Sequence, residues 1–103
     1  NINKSSKKIK STCVDDLVKT LSLSPKFIKI DVEGAEFDVL QGMTVTFEKY
    51  KPLIFLEKHP KLIPTNISLE QIDNLLKKNN YIIFKKIHSD DINIKELWKF
   101  DNK

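Results

Sequence analysis

Four side chains with acid–base chemistry follow two apolar segments of the chain, at the point where each segment ends. Asp31 and Glu33 follow the first segment, and Glu57 and His59 follow the second. Paired carboxylates can act as general bases, hold an ammonium group or bind Mg²⁺, and an imidazole can take a proton near neutral pH. If the segments are adjacent parallel strands, all four side chains meet at one edge of a sheet. Asp31 is the strongest candidate, because a carboxylate at the end of an apolar strand is costly to bury without a partner.

The other three residues also have purely structural interpretations, which the sequence leaves open. Glu33 could be a charge in the first turn of a following helix, where it would suit the helix dipole. Glu57 could pair with a lysine at the edge of the sheet, either Lys29 or Lys58. His59 could be an ordinary loop residue, since it stands before a proline.

The strands that position these residues are predicted from apolar runs of strand length. A central strand is expected over Phe27–Val32, where both faces are apolar, and its period of two places Asp31 and Glu33 on one face. Gly34 follows at a tight turn. Further strands are predicted over Ile9–Cys13, Leu53–Glu57, Tyr81–Ile87 and Lys95–Phe100.

Helices are predicted between these strands from capping residues and apolar spacing. Asp15 is expected to be the N-cap of a first helix, and Ser68 opens a capping box with Gln71. Two short helices are expected over Ala35–Leu40 and Val45–Tyr50. His88, Asp90 and Asp91 are expected to be solvated in a polar turn. The alternation predicts an α/β fold with a mostly parallel sheet.

The composition excludes several classes of protein. A chain of 103 residues forms one domain at most, and no apolar run approaches the roughly 20 residues that span a bilayer. All 18 basic residues are lysine, so no nucleic-acid partner is expected, and without a spanning apolar run no membrane is expected either. One cysteine, Cys13, excludes an internal disulfide framework, and the first ten residues lack an apolar signal segment. We therefore expect a cytoplasmic protein.

Several common catalytic and nucleotide-binding motifs are missing from this sequence. The chain has two glycines and neither a glycine-rich dinucleotide loop nor a P-loop. It also lacks the serine motif of the nucleophile elbow. The sequence therefore contains no recognisable nucleotide cradle of its own.

Two stretches of the chain match a family pattern in the right order. Phe27–Gly42 reads FIKIDVEGAEFDVLQG and Tyr50–Pro60 reads YKPLIFLEKHP. They resemble the segments "KIDVEGAE…VL.G" and "kP.i..E.hp" of the FkbM-type methyltransferases. Cys13–Leu17 is similar to the family's "TLDDL", with Cys for Thr, and Asn80–Tyr81 stands where the family often has Gly-Tyr. The resemblance covers roughly residues 10–87.

The resemblance implies a function and a role for each candidate residue. It implies the C-terminal half of a class I, Rossmann-like methyltransferase sheet, mostly parallel with a last antiparallel strand. The family transfers a methyl group from S-adenosylmethionine to a hydroxyl of a sugar or other small metabolite. Asp31 would lie near the methionine end of this cofactor and near the acceptor, and Glu33 and His59 would face the acceptor pocket. The candidate catalytic residues are thus Asp31, Glu33 and His59, with Asp31 also binding the cofactor and no metal ion expected.

The cofactor-binding half of such a fold has no counterpart in this sequence. The family's glycine-rich loop and its ribose-binding acid are both missing. We therefore expect residues 1–8 to be frayed, residues 9–103 to form a partial methyltransferase domain, and the 103 residues alone to be inactive. The open sheet edge would pair with the missing N-terminal half or with a second copy of the chain.

Two alternative functions remain open from the sequence. The first is a non-catalytic remnant or interaction module that pairs through the open sheet edge. The second, weaker alternative is a Mg²⁺-dependent phosphotransfer site built from Asp31, Glu33 and Glu57.

Overall fold

The computed structural model describes residues 13–102 of the chain. The segment predicted to be frayed and all but the last residue of the strand predicted over Ile9–Cys13 lie outside these residues. Cys13 itself is the N-cap of a helix. The elements are, in chain order, α1 (Val14–Thr20), β1 (Phe27–Ile30), α2 (Glu36–Gln41), α3 (Thr44–Tyr50), β2 (Leu53–Lys58), α4 (Leu69–Lys78), β3 (Tyr81–Ser89) and β4 (Ile94–Phe100).

The four strands form one mixed sheet in the order β1-β2-β4-β3. β1 and β2 are parallel, with Ile30 opposite Leu56, whereas β4 runs antiparallel to both β2 and β3. The α/β fold and the antiparallel last strand are therefore confirmed. β1, β2 and β3 run in the same direction, as a mostly parallel sheet requires. The prediction is wrong for the pairings, because β4 returns directly from β3 and inserts beside β2, so that only β1 and β2 form a parallel pair.

The first strand is shorter than predicted and lies at an edge of the described sheet. It ends at Ile30, and the exposed Phe27 shows that it is not covered on both faces. Asp31 and Glu33 therefore follow the strand, and Glu33 adopts the left-handed conformation with φ 45°. The prediction that strand alternation places these two acids on one face is wrong for this reason.

One hydrophobic core joins the sheet to α2, α3 and α4. α4 enters it through the apolar stripe predicted from the sequence, and the predicted capping box of Ser68 and Gln71 begins this helix. With ten residues, α4 is the longest helix described, so no helix of residues 13–102 can cross a membrane. The core residues are Ile30, Leu40, Met43, Phe47, Ile54, Leu56, Ile72, Leu76, Tyr81 and Trp98.

Asp15 caps a different helix from the one predicted. α1 begins at Val14, so Asp15 lies in its first turn and reaches across to α3. Its carboxylate accepts hydrogen bonds from the backbone N–H of Val45 and of Thr46, at 3.0 and 2.8 Å. The N-cap of α3 is Met43, which offers no side-chain acceptor, and Asp15 satisfies these N–H groups from outside.

Candidate functional site

The parallel pairing of β1 and β2 brings three of the four predicted residues together. Nε2 of His59 lies 3.3 Å from Oδ1 of Asp31 and 3.4 Å from Oε2 of Glu57. The imidazole is buried, whereas the Asp31 side chain is 40% exposed. The predicted convergence at the carboxyl ends of two adjacent strands is thus confirmed for Asp31, Glu57 and His59.

Glu33 lies apart from this cluster. It is exposed, in the turn between β1 and α2, and among residues 13–102 no ion pair joins it to the imidazole. Its expected position facing an acceptor stays a prediction.

A residue that the sequence analysis did not select holds the imidazole from the other side. Glu36, at the start of α2, is fully buried, and its Oε2 accepts a hydrogen bond from Nδ1 of His59 at 2.7 Å. The same oxygen accepts the Gly34 N–H at 3.2 Å, and Oε1 is buried without a hydrogen-bond partner. One signal was available in the sequence, since Glu36 precedes the core residue Leu40 by four positions and so shares its helix face.

The turn after β1 packs tightly against the loop after β2. Gly34 has φ +104°, and a Cβ at this position would lie 2.3 Å from the carbonyl oxygen of Leu62. The N–H of Leu62 donates to the His59 carbonyl at 2.9 Å, so the residues around the imidazole form a closed turn. Gly34 is therefore required both for its positive φ and for this close approach.

The surroundings of His59 favour its charged form. The hydrogen bond to Glu36 is the largest cause that raises the pKa of His59 above its ordinary 6.5. Burial acts in the opposite direction, and the negative charges of Glu36, Glu57 and Asp31 add to the increase. Because Nδ1 donates to Glu36, Nε2 is the nitrogen that faces Asp31 and Glu57.

The lysine beside His59 belongs to a separate, closed network. Nζ of Lys58 lies 2.9 Å from Asp73 on α4 and 3.0 Å from Glu96 on β4. Nε1 of Trp98 donates to Glu96 at 2.9 Å. The alternative in which Glu57 pairs with Lys58 is therefore wrong. The other lysine considered, Lys29, has its Nζ 5.8 Å from the centre of the Phe55 ring.

Two further polar features lie away from the cluster. His88 and Asp90 form an exposed pair at 2.8 Å, which confirms the prediction that they are solvated. The predicted turn is wrong for His88, which lies in β3 because this strand continues to Ser89 and pairs His88 with Lys95 of β4. A groove of about 540 Å³ lies between α1 and α3, and its lining includes Asp15 and Lys49 but none of the residues around His59. Neither feature adds a group to the cluster at the carboxyl ends of β1 and β2.

This arrangement can perform two kinds of chemistry. A buried carboxylate that holds one imidazole nitrogen makes the other nitrogen a well-oriented proton acceptor. Two carboxylates beside that nitrogen also attract a cation. Both activities would take place at the edge of the sheet where Asp31 is open to solvent.

Comparison with known proteins identifies the family of the chain. The model of one protein family, described as "Methyltransferase FkbM domain", matches residues 2–83 of the chain. No curated protein and no solved structure matches the chain. Methyltransferases of this family use S-adenosylmethionine as methyl donor. Because the match covers well over half of its 103 residues, the chain belongs to the FkbM methyltransferase family.

Proposed function

We propose that this chain is part of an S-adenosylmethionine-dependent O-methyltransferase that acts on a hydroxyl of a sugar or other small metabolite. Membership in the family supports methyl transfer, and the cluster around His59 supports oxygen as the acceptor atom. The observation that carries the proposal is the 2.7 Å hydrogen bond from His59 to the buried Glu36. It leaves Nε2 directed toward a solvent-open carboxylate, Asp31.

The acid–base step follows from this geometry. When bound, the donor supplies a methyl group on a positively charged sulfur, and a hydroxyl oxygen that takes this methyl group loses its proton. Nε2 of His59 accepts that proton, and Glu36 stabilises the imidazolium through Nδ1. Because the imidazole must be neutral to accept a proton, the rate should increase as the pH rises through the folded-state pKa of His59, which lies above 6.5.

The three acidic residues Asp31, Glu33 and Glu57 take different roles in this proposal. Asp31 and Glu57 flank Nε2 and supply negative charge beside the positively charged methionine end of the donor. Glu33 is exposed in the turn before α2, where it can contact the acceptor. Asp31 is the one that both touches the imidazole and remains open to a bound molecule.

The described residues suit only one end of the donor. Both glycines of the chain are packed against neighbours, Gly34 against Leu62 and Gly42 against Cys13, where a Cβ would lie 2.5 Å from the cysteine Cβ. Neither therefore forms the open glycine-rich turn that the resemblance implies for the donor. We place the groups that hold the adenosine end outside these 103 residues.

The test measures methyl transfer in the protein encoded by the whole reading frame that contains this chain. Labelled S-adenosylmethionine is offered with a set of hydroxylated sugars and small metabolites. His59→Asn should lower kcat by about 10²-fold or more, as expected for loss of a general base. Asp38→Asn is the matched control, because Asp38 is exposed on α2 and lies outside the cluster. An undiminished kcat in His59→Asn would contradict the role of the imidazole, and tight donor binding by residues 1–103 alone would contradict the missing adenosine site.

A second candidate function is a non-catalytic module that pairs through the edge of the sheet. The observation that favours it is β1, which pairs only with β2 in the described sheet and carries the exposed Phe27. Light scattering of the chain distinguishes this candidate. A stable dimer that Phe27→Lys converts to monomer would support it, and a monomer at all concentrations would count against it.

A further inference from the structure

We propose that Asp31, Glu57 and His59 bind a divalent transition-metal ion. One ligand atom from each residue lies within 4.8 Å of the other two. The distances from Nε2 to the two carboxylate oxygens are 3.3 and 3.4 Å. Ligand atoms bound tetrahedrally at about 2.0–2.2 Å are themselves separated by about 3.3–3.6 Å. The two distances from Nε2 therefore already match those between the ligands of one ion, and the two carboxylate oxygens lie within 4.8 Å of each other.

The imidazole is already held as a metal-ligating histidine usually is. In such sites the second ring nitrogen donates to a carboxylate, which fixes the tautomer and the orientation of the ring. Here Nδ1 donates to Glu36 at 2.7 Å, and Glu36 is fixed in turn by the Gly34 N–H. The lone pair of Nε2 is thereby directed at the same point as the oxygens of Asp31 and Glu57.

The charges around the imidazole also require a cation. Three carboxylates, Asp31, Glu36 and Glu57, surround one imidazole, so even the imidazolium form leaves an excess of two negative charges. Oε1 of the fully buried Glu36 has no hydrogen-bond partner. Within residues 13–102 no lysine lies at ion-pair distance from these acids, and the adjacent Lys58 is engaged with Asp73 and Glu96. A divalent ion bound at Nε2 leaves the imidazole neutral and reduces the three negative charges to one.

The donor set favours one class of metal ion. Imidazole together with carboxylates suits Zn²⁺ and Mn²⁺, whereas Mg²⁺ and Ca²⁺ prefer sites made of oxygen alone. Three protein ligands leave coordination positions free, and the exposed side of Asp31 opens these positions to a bound molecule. A metal ion at Nε2 would exclude a proton from the same lone pair, so metal binding and proton transfer through His59 compete. The binding site itself does not depend on the proposed function.

The test measures metal binding by the chain without donor or acceptor. After treatment with a chelator and dialysis, the chain is titrated with MnCl₂ and separately with ZnCl₂ by calorimetry, MgCl₂ and CaCl₂ are titrated for comparison, and the melting temperature is measured with Mn²⁺ and with Zn²⁺. We expect one equivalent to bind and the melting temperature to rise. Asp31→Asn and Glu57→Gln should each weaken binding about tenfold or more. His88→Gln, which alters the exposed histidine, is the matched control and should bind as the parent chain does.

Three results would overturn this inference. The first is the absence of heat and of a melting shift with both ions up to about 1 mM. The second is binding that persists unchanged in Asp31→Asn and in Glu57→Gln, because the ion would then lie elsewhere. The third is tighter binding of Mg²⁺ or Ca²⁺ than of Mn²⁺, which would contradict the nitrogen ligand. None of these results bears on methyl transfer, which is tested by kcat in His59→Asn.

Discussion

Two adjacent residues at the end of β2, Lys58 and His59, are both buried, ionisable and surrounded by carboxylates. Lys58 forms ion pairs with Asp73 and Glu96, and the indole N–H of Trp98 donates a hydrogen bond to Glu96. The histidine meets three acids, one of them fully buried with a free oxygen. The lysine cluster is closed by α4 and β4, whereas the histidine cluster opens to solvent at Asp31.

This difference separates a structural network from a site that can act on another molecule. Around Lys58 each charged side chain has an oppositely charged partner, which is what burial of charge requires. Around His59 three acids share one imidazole, one acid more than share Lys58, and this excess charge lies beside an edge open to solvent, where it is available to a proton or a cation. Two neighbouring residues can therefore be buried to a similar extent while one belongs to a structural network and the other to a site that is open to another molecule.

The largest effect is expected from breaking the closed network. Lys58→Met leaves Glu96 and Asp73 without their shared cation, and Glu96 is 6% exposed in its side chain. We expect the free energy of unfolding to fall by about 3 kcal/mol, as for a buried pair that loses one partner. Urea denaturation measures the change. Lys61→Met, at an exposed lysine, should leave the midpoint nearly unchanged, and an equal loss in both variants would contradict the distinction.

A smaller effect is expected from removing the buried charge of the open cluster. Glu36→Gln keeps an acceptor for Nδ1 of His59 but weakens the charge-assisted hydrogen bond, at a cost of about 1–2 kcal/mol. The pKa of His59 should decrease toward 6.5, because Glu36 is the main cause of its increase. NMR titration of the imidazole measures this shift. Asp38→Asn should not change the titration, and an unshifted pKa in Glu36→Gln would show that Glu36 does not control His59.

The pH dependence of stability sharpens the comparison further. Folding raises the pKa of His59, so the imidazolium form stabilises the folded state fully below about 6.5. This contribution is lost as the pH rises through the folded-state value. Unfolding measured with a chelator present should therefore show the free energy of unfolding declining above pH 6.5 in the parent chain. The decline should be smaller in His59→Asn, and an identical profile in both chains would contradict the assignment.

The smallest effect is expected at the exposed His88–Asp90 pair, which has similar chemistry without burial. Backbone hydrogen bonds from Asn93 and Ile92, together with His88, lower the pKa of Asp90 to about 2. The ionised Asp90 therefore stabilises the folded state above pH 3.8, its ordinary pKa, and this contribution to stability is lost as the pH falls through about 2. Asp90→Asn should shift the melting temperature less than Lys58→Met or Glu36→Gln. A shift in melting temperature as large as that of Glu36→Gln would mean that burial does not determine how much these charged groups contribute to stability.

The sequence predicted the parts of the site that depend on local pattern. Asp31, Glu57 and His59 converge because each lies at the carboxyl end of a short apolar strand, and adjacent parallel strands end at the same edge. The capping box at Ser68 was predictable for the same reason, since its hydrogen bonds join residues three positions apart. The antiparallel direction of the last strand, β4, followed from the family resemblance rather than from periodicity.

The rest of the site depends on contacts between distant segments. Glu36 is not among the residues selected from the sequence, because only packing against His59, 23 positions later, buries it. Asp15 was assigned to its own helix, because its true partners lie 30 and 31 positions away. The end of β1 at Ile30 moved Glu33 out of the cluster, and strand ends are set by tertiary pairing that a single segment does not reveal.

The contact between Gly34 and Leu62 couples the position of the turn after β1 to the position of the loop after β2. A single added methyl group at position 34 would collide with a main-chain oxygen, and that oxygen belongs to the turn that carries the imidazole. Reshaping the first turn would therefore displace His59 as well. Redesign of this protein has to treat residues 31–36 and 59–62 as one interlocking unit.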